Sequence, residues 1–176
     1  MQKGITRLVL VTGSLLLIPL IAMQVSNEWN WDGFDFVFAA TLIFGTGLAY
    51  QLVARRSAAF AYRAAAGVAL ATAFLLVWVN AAVGIIGDGP VNLMYLAVPL
   101  VGIIGASIAR LEPQGMSRAL FATALVMALV PVIALLIGTP DFSPGVVAVF
   151  ILNFIFVMLF VGSALLFRRA SDSTAH

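Results

Sequence analysis

Residues 145–167 read GVVAVFILNFIFVMLFVGSALLF and contain no charged side chain. A helix needs roughly 20 mainly apolar residues to cross the hydrocarbon core of a bilayer, so this run predicts a membrane-spanning helix. Arg168 and Arg169 follow the run directly. Because arginine collects in the short cytoplasmic loops of membrane proteins, the pair also predicts the direction of this helix.

Five further stretches have a similar length and composition, and clusters of Gly, Pro, Asn and Asp separate them. Of the 176 residues, 63% are hydrophobic and 9% are charged, whereas soluble domains have about 25% charged residues. We therefore predict an all-α transmembrane bundle of six helices with short loops, forming a single domain over residues 1–176. The predicted spans are residues 8–25, 35–53, 62–86, 92–109, 117–137 and 145–167.

The charged residues divide between the two sides of this six-span arrangement. All nine basic residues fall on one side: Lys3, Arg7, Arg55, Arg56, Arg63, Arg110, Arg118, Arg168 and Arg169. Five of the seven acidic residues fall on the other: Glu28, Asp32, Asp35, Asp88 and Asp141. Since positively charged loops stay in the cytoplasm, we predict that both termini are cytoplasmic and that the protein lies in the plasma (inner) membrane. Residues 1–24 are not expected to be a cleaved signal peptide, because the apolar run at 8–23 is long for one and Ala22-Met23-Gln24 is a poor cleavage site.

The composition argues against most catalytic chemistry. There is no cysteine, and His176 is the only histidine, which leaves no basis for thiolate sites, histidine-built metal or haem sites, or a Ser-His-Asp set. No charged residue falls near the middle of a predicted span. No basic patch with interleaved aromatic residues is present, so nucleic acid is not an expected partner. We predict a protein that is not an enzyme, with no cofactor, no metal site and no catalytic residue.

Four polar residues fall near the outer ends of the predicted spans: Asp35, Asn80, Asn92 and Asn153. One hypothesis is an outward-facing polar cluster, near Tyr95, that lines a route for a solute. The other, which we favour, is that Asn80 and Asn153 form hydrogen bonds between helices and hold the bundle together.

Three tryptophans are candidate interface anchors: Trp29, Trp31 and Trp78. Tryptophan prefers the headgroup zone because its ring is apolar and its N–H is polar. Trp29 and Trp31 lie in an acidic aromatic segment, for which an external lid or partner-binding loop is the alternative. Trp78 lies deeper, so we expect its indole N–H to bond a neighbour.

The chain also contains an internal similarity. Shifting the chain by 55 residues aligns Val53-Ala54-Arg55 with Ile108-Ala109-Arg110 and Arg63-Ala64 with Arg118-Ala119. Helices two and three are then a duplicate of helices four and five, unless alanine-rich helices with flanking arginines match by chance.

The segments GTGLAY at 45–50 and FLLVWVNAAVGIIG at 74–87 resemble those of a group of small, uncharacterised bacterial polytopic inner-membrane proteins with no assigned activity. The resemblance covers most of residues 28–130 and implies a bacterial inner-membrane location without a mechanism. We expect a non-enzymatic accessory or self-associating membrane component, whose partners are membrane lipids and either another membrane protein or further copies of the chain. The alternative is a small transporter or channel for a neutral or weakly polar solute.

Overall fold

The computed structural model describes residues 2–26, 30–87, 89–138, 142 and 145–172. These residues form six α-helices and one 3-10 helix, called η1, and no strand, which confirms the predicted all-α, six-helix fold. Six segments are long and apolar enough to cross a membrane, the fourth being η1 and α4 together. The elements are α1 Gln2–Val25, α2 Gly33–Ala54, α3 Phe60–Val83, η1 Pro90–Leu96, α4 Ala97–Ile108, α5 Pro113–Leu136 and α6 Val146–Asp172.

Large apolar side chains cover the outside of these helices. Ile103 on α4, Leu125 on α5 and Phe154 on α6 are 64%, 61% and 63% exposed. In water, such surface costs roughly 25 cal/mol for each Å² left unburied. Among lipid tails, which are as apolar as leucine, it costs nothing. The chain is therefore an integral membrane protein.

The contacts group the chain into two compact units, unit 1 with Met1–Leu52 and unit 2 with Val53–His176. The single domain over residues 1–176 stays a prediction. In unit 1, the Gln51 Nε2 donates to the Gly4 carbonyl at 3.2 Å and so joins α2 to α1. Gly47 leaves room for Leu8, since a Cβ atom at this glycine would overlap the Leu8 Cδ1.

In unit 2, α5 packs between α4 and α6, and α3 packs on the other side of α6. Glycine lets α4 approach α5 closely: a Cβ atom on Gly105 would lie 2.6 Å from the Ala119 Cβ. The buried Ser163 Oγ donates to the Ala65 carbonyl at 2.7 Å and ties α6 to α3. The position that the 55-residue shift aligns with Gly105 is Tyr50, so this close contact is not part of the aligned pattern, and the duplication stays a prediction.

Unit 2 has two chemically different ends. At the first, which we call the arginine end, the Tyr62 hydroxyl donates to the Leu111 carbonyl at 2.7 Å and the Tyr62 ring meets the Phe167 ring edge-on at 5.0 Å. These contacts bring together the start of α3, the α4–α5 turn and the last turns of α6. Asn80, Asn92 and Asn153 lie toward the opposite end, which we call the amide end.

Candidate functional site

Asn92, in η1, organises the amide end. Its Oδ1 accepts hydrogen bonds from the backbone N–H groups of Ile85 and Ile86, at 2.9 and 3.0 Å. Its Nδ2 donates to the Gly87 carbonyl. The Asn92 side chain thus supplies hydrogen-bond partners to backbone groups of residues 85–87, which follow α3 and have no helical partners of their own. A helix leaves its last carbonyls and the following turn without intrahelical partners, and an amide side chain carries both a donor and acceptors to satisfy them.

The turn around Asn92 explains why α3 is shorter than the sequence predicted. The predicted span continued to residue 86, whereas α3 ends at Val83. Gly84 has a φ of 63°, a left-handed conformation that suits glycine. A Cβ atom there would lie 2.8 Å from the Asn92 Nδ2, so only glycine lets the chain close round this amide. Residues 85–87 then fold back and are buried.

Asn80 links α3 to the same structure. It lies three residues before the end of α3, nearer to the helix end than the sequence indicated. Its Nδ2 donates to the Asn92 carbonyl at 3.0 Å. The Asn80 Oδ1 is buried and accepts no hydrogen bond from the described part of the chain.

Asn153 forms a second, deeper pair with Tyr95. The Tyr95 hydroxyl lies 3.2 Å from the Asn153 Oδ1 and 2.9 Å from its Nδ2, and both residues are buried. The Nδ2 also donates to the Val149 carbonyl of its own helix at 2.8 Å. Asn153 lies seven residues after Val146, or about 10 Å along α6 at 1.5 Å per residue. The predicted bonds of Asn80 and Asn153 to other helical segments are therefore confirmed, and both reach η1.

The sequence also placed Asp35 in this cluster; Asp35 belongs to unit 1, its described contacts lie within that unit, and its membership of the cluster stays a prediction. The Asp35 Oδ2 accepts from the Asp32 N–H at 2.9 Å, and the Asp32 Oδ1 accepts from the Asp35 N–H at 2.9 Å. This reciprocal pair has the pattern of a capping box, with Asp32 as the N-cap of α2. This cap explains why α2 begins at Gly33, two residues before the predicted start.

Hydroxyl groups within the spans bond mainly to their own helices. Thr41, Thr72 and Thr123 each donate to the carbonyl four residues earlier, at 2.7 to 2.9 Å. This arrangement satisfies the hydroxyl without a second helix or a solute.

Two of the three candidate anchor tryptophans lie in the described residues. Trp31 lies just before α2, and its ring packs edge-on against the Phe36 ring in the first turn of this helix, with the centroids 5.4 Å apart. Trp78 stacks on Phe74 one turn earlier in α3, with the centroids 5.7 Å apart. Trp29 lies outside the described residues, as do the acidic residues Glu28, Asp88 and Asp141.

An open groove of about 540 Å³ lies between α5 and α6 beside Pro131. Among the described residues that line it, Asn153 is the one with a polar side chain, and its amide is already bonded to Tyr95 and Val149. The remaining lining side chains are apolar: Ala128, Pro131, Val146, Val147, Phe150, Ile151, Phe154 and Val157. The exposed Val147, Ile151 and Phe154 place its opening on the apolar surface, so the groove is suited to hydrocarbon rather than to a polar solute.

The sequence identified the three amides of this end but did not include Tyr95, the partner of Asn153, among the cluster residues. Its position offers a signal, since Tyr95 follows Asn92 by three residues and a 3-10 helix has three residues per turn. The two side chains therefore extend from the same face of η1, one toward α3 and one toward α6. Among the described residues, the network has amide and phenol groups and no carboxylate or ammonium, which suits it to holding segments together. No family model, no curated protein and no solved structure matches the chain.

Proposed function

We propose that the chain is a non-enzymatic component of a bacterial plasma membrane, with both termini cytoplasmic. It acts by associating within the bilayer, either with another membrane protein or with further copies of itself. The polar cluster then has a structural role: it fixes η1 and the turn after α3 against the bundle.

The observation that carries this proposal is the buried Asn153–Tyr95 pair. A transporter for a polar solute needs donors and acceptors that are free to exchange protein partners for solute. Here, the deepest amide of the amide end bonds a phenol and a backbone carbonyl, and Asn92 uses both ends of its amide on the turn at 85–87. Groups engaged in this way stabilise packing, each worth on the order of 0.6 kcal/mol and up to about 2 in a membrane.

The apolar exterior supports action through lateral contacts. Side chains such as Leu100, Ile104 and Ile108 on α4 are more than half exposed. A surface of this kind can meet lipid tails or the equally apolar face of another membrane helix. The loops between the described helices are short, so the faces of the bundle supply most of the area available to a partner.

One observation favours the second candidate, a transporter or channel for a neutral or weakly polar solute. The Asn80 Oδ1 is a buried acceptor without a donor among the described residues. An unpaired buried acceptor costs free energy of about 1–3 kcal/mol, which a solute N–H or O–H group, or water, would recover.

The experiment extracts the tagged protein with its surrounding lipid in polymer-bounded discs and measures its mass and stoichiometry. We expect either a defined oligomer or a stoichiometric second membrane protein. The same preparation, reconstituted in vesicles, is tested for the flux of small neutral solutes with Asn80→Leu as the matched variant. A monomer without a partner, together with a flux that Asn80→Leu abolishes, would establish the transporter instead.

A further inference from the structure

At the arginine end, Tyr62 contacts two other residues, and each of the three has an arginine as its chain neighbour. Tyr62 bonds Leu111 and packs on Phe167. Arg63 follows Tyr62, Arg110 precedes Leu111, and Arg168 follows Phe167. Three elements that are distant in sequence therefore bring an arginine each to the same end of unit 2.

These arginines are exposed, and they form no ion pair with the residues that the structure describes. All seven arginines of unit 2 lie at this end: Arg55, Arg56, Arg63, Arg110, Arg118, Arg168 and Arg169. None of them makes an ion pair with a carboxylate in the described ranges, although Glu112 and Asp172 lie at the same end. An uncompensated group of like charges repels itself, and a bound anion removes that repulsion.

The backbone of the α4–α5 turn supplies a second, independent observation. Arg110 and Leu111 have φ values of 50° and 62°, the left-handed region that glycine adopts far more readily. The Tyr62 hydroxyl bond holds Leu111 in place, and Gly115 packs so tightly on Ala109 that a Cβ atom there would lie 2.7 Å from the Ala109 Cβ. The contacts of Tyr62 and Gly115 therefore hold Arg110 at a fixed position at the arginine end despite the cost of its backbone conformation.

We infer that the arginine end binds the phosphate groups of anionic phospholipids, with Arg63, Arg110 and Arg168 as the central contacts. Guanidinium is planar and weakly hydrated and can bond two phosphate oxygens at once. Eight of the nine basic residues are arginine, the residue that suits this geometry. Clusters of four to eight basic residues beside membrane spans are typical of anionic-lipid binding. The inference depends on the membrane location and not on the proposed association.

The experiment measures lipid binding to the full chain by native mass spectrometry, with phosphatidylglycerol and phosphatidylcholine in competition. Each arginine near the membrane contributes about 1 kcal/mol, which is about a fivefold change in affinity. We expect Arg110→Gly to weaken phosphatidylglycerol binding about fivefold, and a triple change of Arg63, Arg110 and Arg168 to Gln to weaken it on the order of a hundredfold.

Arg110→Gly keeps the test valid even where the triple variant does not fold, because glycine relieves the strained φ and should leave thermal stability in phosphatidylcholine equal or higher. Arg7→Gln is the control, since it removes the same charge from unit 1. Equal affinity of the wild type and Arg110→Gly for phosphatidylglycerol would overturn the inference. So would competition by free inorganic phosphate at concentrations that match the lipid, since the site would then bind phosphate rather than a headgroup.

Discussion

Replacing Asn92 by alanine should destabilise unit 2 more than any other single change of an amide at this end. The substitution removes three hydrogen bonds of the side chain: those from the Ile85 and Ile86 N–H groups and that to the Gly87 carbonyl. The bond from Asn80 to the main-chain carbonyl of residue 92 remains.

The expected loss follows from the number of bonds. A hydrogen bond contributes a net of about 1 kcal/mol, so three of them correspond to about 3 kcal/mol of unfolding free energy. Ile85, Ile86 and Gly87 are buried, so water replaces the lost partners poorly. Asn92→Asp keeps the acceptor for two N–H groups and loses the donor to Gly87, and we expect its stability to lie between those of the wild type and Asn92→Ala.

The assay is reversible unfolding in mixed micelles, with the helical circular dichroism signal followed against the fraction of denaturing detergent. Gln114→Ala is the matched control, because the Gln114 side chain is exposed and makes no hydrogen bond with the described residues. Surface changes of this kind usually stay within about 0.5 kcal/mol. A loss for Asn92→Ala no larger than that of Gln114→Ala would refute the assignment of Asn92 as the organiser of this end.

Two further stability predictions use the same assay. Gly105→Ala places a Cβ atom 2.6 Å from the Ala119 Cβ, and we expect it to cost about 1–3 kcal/mol of unfolding free energy because it forces α4 away from α5. At Gly162, a Cβ atom would meet nothing within 4 Å, so Gly162→Ala should be neutral or stabilising by up to about 1 kcal/mol. Equal effects of the two substitutions would contradict the close packing of α4 on α5. Tyr62→Phe keeps the ring contact with Phe167 and loses the hydrogen bond to the Leu111 carbonyl, so we expect a loss of about 1 kcal/mol, and a stability equal to the wild type would show that this bond does not hold the strained turn.

The spans were predictable because their signal is local. A run such as residues 145–167 carries its length and apolar character in its own composition, so α6 is found at Val146–Asp172. The helix extends past Phe167 because Arg168 and Arg169 can continue a helix beyond the apolar run. Composition marks where a helix leaves the hydrocarbon region, and it does not mark where the helix ends.

The turn at residues 84–87 was not predictable in the same way. Residues 74–86 read as part of one apolar span in which Asn80 is the single polar side chain. The helix α3 ends because of Gly84 and the Asn92 amide of η1, which bonds the turn that follows. Likewise, the partners Tyr95 and Asn153 are 58 positions apart. Such pairs depend on how the segments pack. A single sequence shows that polar residues lie near the helix ends, but it does not show which of them form hydrogen bonds with each other.

Asp35 has a local contact that the sequence could have predicted. The structure pairs it with Asp32, and the spacing of three residues between the two acids is that of a capping box. The membership of Asp35 in the polar cluster stays a prediction, because it depends on how distant segments pack.

The most direct test of the account is the sidedness of the six spans. The chain has no cysteine, so single cysteines introduced at exposed positions can be labelled with a membrane-impermeant maleimide in sealed, right-side-out vesicles. We predict labelling at Asn30→Cys and Ile137→Cys, and protection at Ala58→Cys and Gln114→Cys until the vesicles are opened. Labelling of Asn30→Cys and Ala58→Cys from the same side would contradict the six-span arrangement.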